Sequence, residues 1–373
     1  MPKITYKLYD NINNIDKKAW DAVFGDIPES YPFYRALGNS ELAEFDFYYL
    51  VIYRGDEIVL IAPLFSADFN LDIAVEGLLA KVIKLIRKIF PRFLILKTLF
   101  CGSPFGEYGV LGIKESFKSD PELIPQLLTG IKNLALKLGT PLTIFKDFLK
   151  DSTFLLDALK CKGFTKVESF PNVLLDLNFP SFEAYLKSLG SSTRKNLNKK
   201  LKQAVSRGKI EVKVVQEIGS QIDQVIGLYE NTYHGGATKF ERLTKKFFLQ
   251  VSDDLSEHTR FFLYYVDGAL AAFNLCFIYK DLLIDKFIGF NYDISNRYNL
   301  YFFSWAYNIK WCIDHSLRYY HPGQTDYEPK IRLGGKIIPL YAYLKHRNVA
   351  FNFLLKVLAL VLKPDNFDED IKK

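Results

Sequence analysis

The chain has 373 residues, of which 49% are hydrophobic and 16% aromatic, with 23 Tyr and 32 Phe. That much apolar surface excludes a disordered chain, and at roughly 150 residues per domain the length predicts two domains. A net charge of +7 is modest, and what matters is where the basic residues cluster. The four cysteines (Cys101, Cys161, Cys276, Cys312) show no CxxC spacing, and the five histidines show no HExxH spacing. These patterns argue against a zinc site, any other metal site and a disulfide framework, and they fit a reducing compartment. The first residues, MPKITYKLYD, hold no apolar signal region, so the expected location is the cytoplasm.

In chain order, Leu50–Phe65 predicts a hairpin turning at Gly55-Asp56. Gly77–Phe90 repeats Leu78, Leu79, Val82, Ile83, Leu85, Ile86, Ile89 and Phe90 at helical spacing, with Lys81, Lys84, Arg87 and Lys88 between them and Pro91 as a stop. Its charges exclude a spanning helix, which needs ~20 mostly apolar residues. A basic amphipathic helix of this kind either covers a core or lies on a membrane. A further strand is expected within residues 97–113; its Gly102, Gly106 and Gly109 do not have phosphate-loop spacing. A helix over 121–139 and a strand over 142–148 close the first half. The join is expected near 170–177, where VLLDL reads as a strand, giving domains 1–175 and 176–373.

The second half opens on a basic helix, Thr193–Arg207, with Ser191 or Ser192 as N-cap and Gly208 at the C′ position. Arg194, Lys195, Lys199, Lys200, Lys202 and Arg207 spread over much of its circumference. They either face solvent or hold phosphate of a cofactor, nucleic acid or lipid headgroup. Phe261–Tyr279 predicts a second hairpin turning at Asp267-Gly268, followed by a strand over 282–290, a helix over 301–317 and a strand over 317–323. The order helix, hairpin, strand, helix, strand thus occurs twice. It predicts two similar α/β (α+β) halves, each a mixed, mostly antiparallel sheet flanked by helices. Phe351–Lys363 is a second amphipathic stretch, and the tail after Pro364 is expected to fray.

The run YYHPGQTDYEPKIRLGG, Tyr319–Gly335, places hydrogen-bonding groups beside aromatic faces, as a ligand-lining strand and loop requires. A solvated surface loop is the competing account.

With these elements in place, the chain resembles the GNAT superfamily of acyltransferases. More closely, it is similar to the double-GNAT branch of Fem-type peptidoglycan aminoacyltransferases and BioF2-like acetyltransferases. The matching segments are SSTRKNLNKKLKQA, FFLYYVDGALAAFNLCF, GFNYDISNRYNLYFFSWAYNIKW and GQTDYEPKIRLGG. The resemblance implies transfer of an acyl group from a thioester or ester donor to an amine, possible without metal or Schiff base. Acyl-CoA (acetyl-CoA) is the implied co-substrate, with aminoacyl-tRNA or an acyl carrier protein as the bulkier alternative. It implies Asp285, Tyr327 and Lys330 as catalytic residues, and Arg297, Asn299, Arg194 and Lys195 as donor-phosphate contacts. Gln324, Thr325, Tyr298 and Arg332 are implied as substrate contacts, with Lys286, Tyr301, Tyr320 and His321 nearby. Glu107 and Tyr108 hold the comparable place in a degenerate first half. One departure stands out: where GNAT proteins carry a glycine-rich pyrophosphate loop, Ser295–Phe303 has Arg297 and no glycine. A tRNA-binding protein and a noncatalytic scaffold at an anionic membrane are the rival classes.

Overall fold

The computed structural model describes residues 2–71, 77–152, 156–235, 241–324 and 326–359. Thr325 and the tail after Pro364 lie outside the described residues. The chain divides into two compact units. The first comprises Met1–Gly38, Ala43–Pro171 and Pro339–Lys373, and the second comprises Asn39–Leu42 and Asn172–Ile338. The change of unit at Pro171/Asn172 lies close to the expected join. The structure differs from a simple two-part reading by returning Pro339 onward to the first unit.

The strands, in chain order, are β1 (Ile4–Tyr9), β2 (Asp46–Arg54), β3 (Glu57–Asn70), β4 (Ile95–Cys101), β5 (Gly112–Ile113), β6 (Leu142–Leu149), β7 (Thr165–Asp176), β8 (Ile210–Val215), β9 (Thr259–Val266), β10 (Ala269–Tyr279), β11 (Leu282–Phe290), β12 (Tyr319–His321) and β13 (Lys336–His346). In the first unit, β1 to β4 pair antiparallel in sequence order. Next, β4 pairs parallel with β6, and β6 pairs antiparallel with β13. In the second unit, β8 to β11 pair antiparallel, β11 pairs parallel with β12, and β12 pairs antiparallel with the end of β7. The same six-strand plan therefore occurs twice. In neither unit does the next strand in sequence finish the sheet: β13 finishes the first and β7 the second.

Both expected hairpins form. At the second, Asp267 and Gly268 take φ of 49° and 87°, as a two-residue type I′ loop requires. The helix Leu123–Leu138 turns Leu123, Ile124, Leu127, Ile131 and Leu134 into a core with Leu50, Leu60, Leu99, Phe145 and Tyr343. The helices that matter below are Gly77–Ile89 and Val349–Ala359 in the first unit. In the second they are Phe182–Ser188, Ser191–Ser206, Tyr292–Tyr298, Leu300–Asp314 and Tyr327–Arg332.

The basic helix starts at Ser191 with Gly190 as its N-cap, rather than with a serine cap, and Arg207 closes it. Gly208 follows as expected, but for a different reason. A Cβ there would meet the Asp267 carboxylate at 2.8 Å and the Tyr298 hydroxyl at 2.9 Å, so a side chain would have to displace these two groups, and no left-handed backbone is involved. Sequence reading left out β1, β8 and β13. Pro339 sits inside β13 and masks its strand pattern.

Candidate active site

The parallel pairing of β11 with β12 covers only Leu282–Ile284 against Tyr319–His321, although β11 runs on to Phe290. Asp285 is the first residue past that pairing. Opposite, the register shifts: Leu275 faces Phe287 and Cys276 faces Asp285, which makes Lys286 the extra residue of a β-bulge. A bulge leaves part of the backbone outside the ladder and re-aims side chains, and bulges occur next to active sites.

Asp285 is half-buried as a residue, but its carboxylate is packed among hydrogen-bond donors. Asn274 Nδ2 reaches Oδ1 at 3.0 Å and Oδ2 at 2.8 Å, and the Tyr320 hydroxyl donates to Oδ2 at 3.0 Å. Behind Tyr320 the donors line up: Tyr264 donates to Asn308 Oδ1 at 2.6 Å, and Asn308 Nδ2 lies 3.4 Å from the Tyr320 hydroxyl. All three outer residues are buried. Burial pushes the Asp285 carboxyl pKa up to about 6, against the lowering effects of Asn274, Tyr320, the Lys330 charge and the Cys276 thiol. A carboxyl group poised there is able to take and return protons near neutral pH.

Lys330 supplies the positive charge. It sits in the helix Tyr327–Arg332 and is 3% exposed. Its Nζ donates to Gly323 O at 2.9 Å and Gln324 O at 2.7 Å, and lies 6.0 Å from the Trp305 ring centroid. The ammonium thereby clamps the turn after β12, where Gly323 takes φ 76° and passes the backbone of Asp285. Pro329 is tolerated because it falls in the first turn of this helix. Gly335 belongs to the same construction. A Cβ there would lie 2.4 Å from Val173 Cγ1 and 2.8 Å from Lys330 O. The Tyr185 hydroxyl holds the following loop through Leu333 O at 2.8 Å. Tyr327 is 1% exposed. Both Tyr327 and Lys330 are thus buried, where the sequence reading expects an open cleft, because the turn folds over the ammonium.

The structure brings Asp285, Lys330 and the Gln324 backbone together. The other residues named from sequence are placed as follows. The Tyr298 hydroxyl lies 3.1 Å from Arg207 O and 3.2 Å from Asp267 Oδ2, tying the helix Tyr292–Tyr298 to the hairpin turn. Arg297 is exposed, 5.6 Å from the Tyr298 ring, and Asn299 takes φ 50° with its amide 3.5 Å from Gln203 Oε1. Arg194 donates to Lys187 O at 3.2 Å, and Arg332 pairs with Glu328. His321 is buried, and its Nδ1 accepts from Gly323 N at 3.2 Å, which fixes a tautomer protonated on Nε2 if the ring is neutral.

Two depressions accompany the site. One, of about 230 Å³, is lined by Thr193, Asn196, Lys200, Phe302, Glu328 and Arg332. It joins the basic helix to the helix that carries Lys330. Lys200 sits 3.0 Å above the Phe302 ring centroid, and desolvation lowers its pKa. The other, a groove of about 480 Å³, is lined by Lys195, Asn198, Lys199, Lys202, Gln203 and Ser206.

Asn274, Asn308 and Tyr264 went unnamed in the sequence reading. The available signal is a lone amide inside an apolar run: AAFNLCF for Asn274, and SWAYNIKW for Asn308. A buried amide demands partners, so each marks a polar centre.

The two repeated sheets, each with a parallel pair beside an antiparallel meander, make a tandem GNAT fold. The chain belongs to the FemAB-like family, described as peptidoglycan biosynthesis/recognition, which it matches over residues 116–351. That description ties the family to the peptidoglycan of the cell envelope. Among solved structures, the chain resembles FemX with a TM-score of 0.56 at 12% identity, over 94% of this chain and 100% of that chain. It resembles a tandem GNAT protein from the clavulanic acid biosynthesis pathway with a TM-score of 0.54 at 10% identity, over 93% and 99%. It also resembles L-PGS from Bacillus licheniformis with a TM-score of 0.50 at 10% identity, over 93% and 96%. At these identities the likeness concerns the fold. No curated protein matches the sequence.

Proposed function

We propose that the chain is an N-acyltransferase of the aminoacyl type, with its chemistry in the second unit and its donor carried on a polyanion such as tRNA. The observation that carries the reaction class is Asp285. It is a carboxylate at an open strand edge, pushed to a pKa of about 6 and accompanied by a buried lysine.

The steps follow from what amine attack needs. The amine nitrogen bonds to the donor's carbonyl carbon while its proton passes to Asp285. The developing oxyanion is stabilised by the Lys330 charge. The carbonyl-to-carrier C–O bond then breaks, and the leaving oxygen takes up a proton from Asp285. The line Tyr264–Asn308–Tyr320 holds the carboxylate in place throughout.

The donor argument rests on the phosphate contacts. A CoA pyrophosphate needs a glycine-rich cradle of N–H groups. Here the segment after β11 is a seven-residue helix whose first turn is already capped by Asn291 Oδ1 on Ile294 N at 3.4 Å. The basic helix instead offers Lys195, Lys199 and Lys202 along a groove, a track suited to successive phosphates of a nucleic acid backbone. The acceptor we favour is the free amine of a peptidoglycan-precursor peptide, in line with the family.

The test compares donors on the full chain. Aminoacyl-tRNA is expected to raise the melting temperature and to yield product with an amine-bearing precursor peptide. Lys330→Met is expected to lower that turnover at least tenfold, about 1.4 kcal/mol in the barrier, with the fold retained. Turnover supported by acetyl-CoA and not by aminoacyl-tRNA would reverse the donor assignment. Full activity of Lys330→Met would remove Lys330 from the mechanism.

A further inference from the structure

We infer that the first unit carries a docking surface for an anionic phospholipid bilayer, formed by the helix Gly77–Ile89 with the turn after it and by the helix Val349–Ala359. Among the described residues no helix is long and apolar enough to cross a membrane, so the contact is peripheral.

The observation is an amphipathic pattern turned outward. A helix that covers a core buries its apolar stripe. In the helix Gly77–Ile89 the stripe Val82, Leu85 and Ile89 is exposed, with Leu85 at 62% and Ile89 at 75%, while Ile83 is buried. Phe90 and Phe93 extend the stripe beyond the helix end, with Phe90 at 66%. In the helix Val349–Ala359, Val349, Phe353 and Val357 recur on one outward face, with Phe353 at 68%. Asn352 fixes that orientation: its Nδ2 donates to Gly163 O at 3.0 Å and its Oδ1 accepts from His346 N at 2.9 Å.

Both segments are rooted on one part of the sheet. The helix Gly77–Ile89 is an excursion between β3 and β4, closed at its base by Leu71 N on Leu94 O at 2.9 Å. Leu71 and Leu96 border the cluster of Phe65, Phe100, Leu142, Ile144 and Ala342, and Leu355 packs against that same cluster. So many exposed aromatic and aliphatic side chains on one unit exceed what scattered surface residues account for.

Charge selects the occupant. Residues 81–93 carry Lys81, Lys84, Lys88, Arg87 and Arg92 and no acid, and 349–359 carry Lys356 and no acid. Lys81, Lys84, Lys88 and Lys356 are exposed. Aromatic and aliphatic side chains able to enter the headgroup boundary, ringed by lysines, fit a surface of anionic lipid. An acidic groove on a protein would match the lysines, but it would not need this many protruding apolar groups. The inference is independent of the donor assignment above.

Flotation of the full chain with phosphatidylcholine vesicles, with and without phosphatidylglycerol, tests it. The bound fraction is expected to rise about fivefold or more with the anionic lipid and to fall as salt is added. Leu85→Ser, Ile89→Ser and Phe90→Ser combined are expected to abolish binding with an unchanged melting transition, since all three side chains are exposed. Lys81→Glu, Lys84→Glu and Lys88→Glu combined are expected to remove the preference for anionic vesicles. Equal flotation with both vesicle types would overturn the proposal. So would a dimer in sedimentation that the serine variant dissociates, because the face would then belong to a second copy of the chain.

Discussion

Each unit places an aspartate just past its parallel strand pair, and the two are treated differently. In the first unit the pairing of β4 with β6 ends at Cys101 and Phe145, and Asp147 follows on β6. Asp147 takes φ 61°, accepts a hydrogen bond from the Ser169 hydroxyl and forms an ion pair with its neighbour Lys146. In the second unit Asp285 follows the pairing on β11, and its hydrogen bonds come from the neutral groups of Asn274 and Tyr320. At Asp285 burial outweighs these donors and the Lys330 charge, and raises the carboxyl pKa to about 6. The two aspartates are not counterparts in the repeat, since β6 corresponds to β12 and the residue of β4 that corresponds to Asp285 is Gly102; the same sheet plan therefore carries its carboxylate on a different strand in each unit.

Neutralising each aspartate in turn is expected to have the largest effect. Asp285→Asn is expected to lower turnover by a factor of about 10² to 10⁴, the usual yield of a general base. Asp147→Asn is expected to keep the turnover number within about fivefold, because asparagine tolerates positive φ and retains a group for Ser169. Steady-state kinetics of the two variants side by side decide it; equal losses would mean that both units contribute to the chemistry.

A second pair of changes probes the glycines that let each site close. Gly335→Ala would press a methyl onto Val173 and Lys330 O, and Gly109→Ala would press one within 2.1 Å of Lys146 O. Overpacking of this kind costs about 1–3 kcal/mol. Thermal melts are expected to show the larger loss for Gly109→Ala, whose obstacle is backbone. Activity is expected to fall with Gly335→Ala, because it displaces the helix carrying Lys330.

The smallest effect is on stability against pH. Asp285 has a raised carboxyl pKa, so the native state keeps a proton that the unfolded chain has shed. Its contribution is fully present below about pH 4 and lost as pH rises through about 6. The melting temperature of the native sequence relative to Asp285→Asn should therefore fall between pH 4 and pH 7. The change corresponds to on the order of 1–3 kcal/mol. A flat difference would show that Asp285 titrates as an ordinary aspartate.

Much of this architecture is legible in the sequence, and the reasons are local. The hairpin at Asp267-Gly268 announces itself because only certain residues accept two successive positive φ angles. The helix Leu123–Leu138 ends on Gly139 at φ 70°, the left-handed cap that a terminal glycine supplies. The resemblance picked out Asp285 and Lys330, but neither their burial nor their proximity shows in spacing, because a clamp between residues 323 and 330 is a property of the folded turn. The amides Asn274 and Asn308 were missed because each looks like noise within an apolar run until the chain has folded. The strand β13 was missed because a proline inside a strand speaks against it, and its pairing with β6, far away in sequence, shows only in the folded chain.

That distant pairing carries a consequence for how the protein is made. When β6 leaves the ribosome its neighbour on the β13 side does not yet exist; it is translated about 190 residues later, or roughly 10 to 40 s at ordinary synthesis rates. Throughout that interval an apolar strand presents an open edge, the feature most prone to pair with the wrong chain. A chain released before Lys336 lacks the strand that pairs with β6 and leaves the first sheet unfinished.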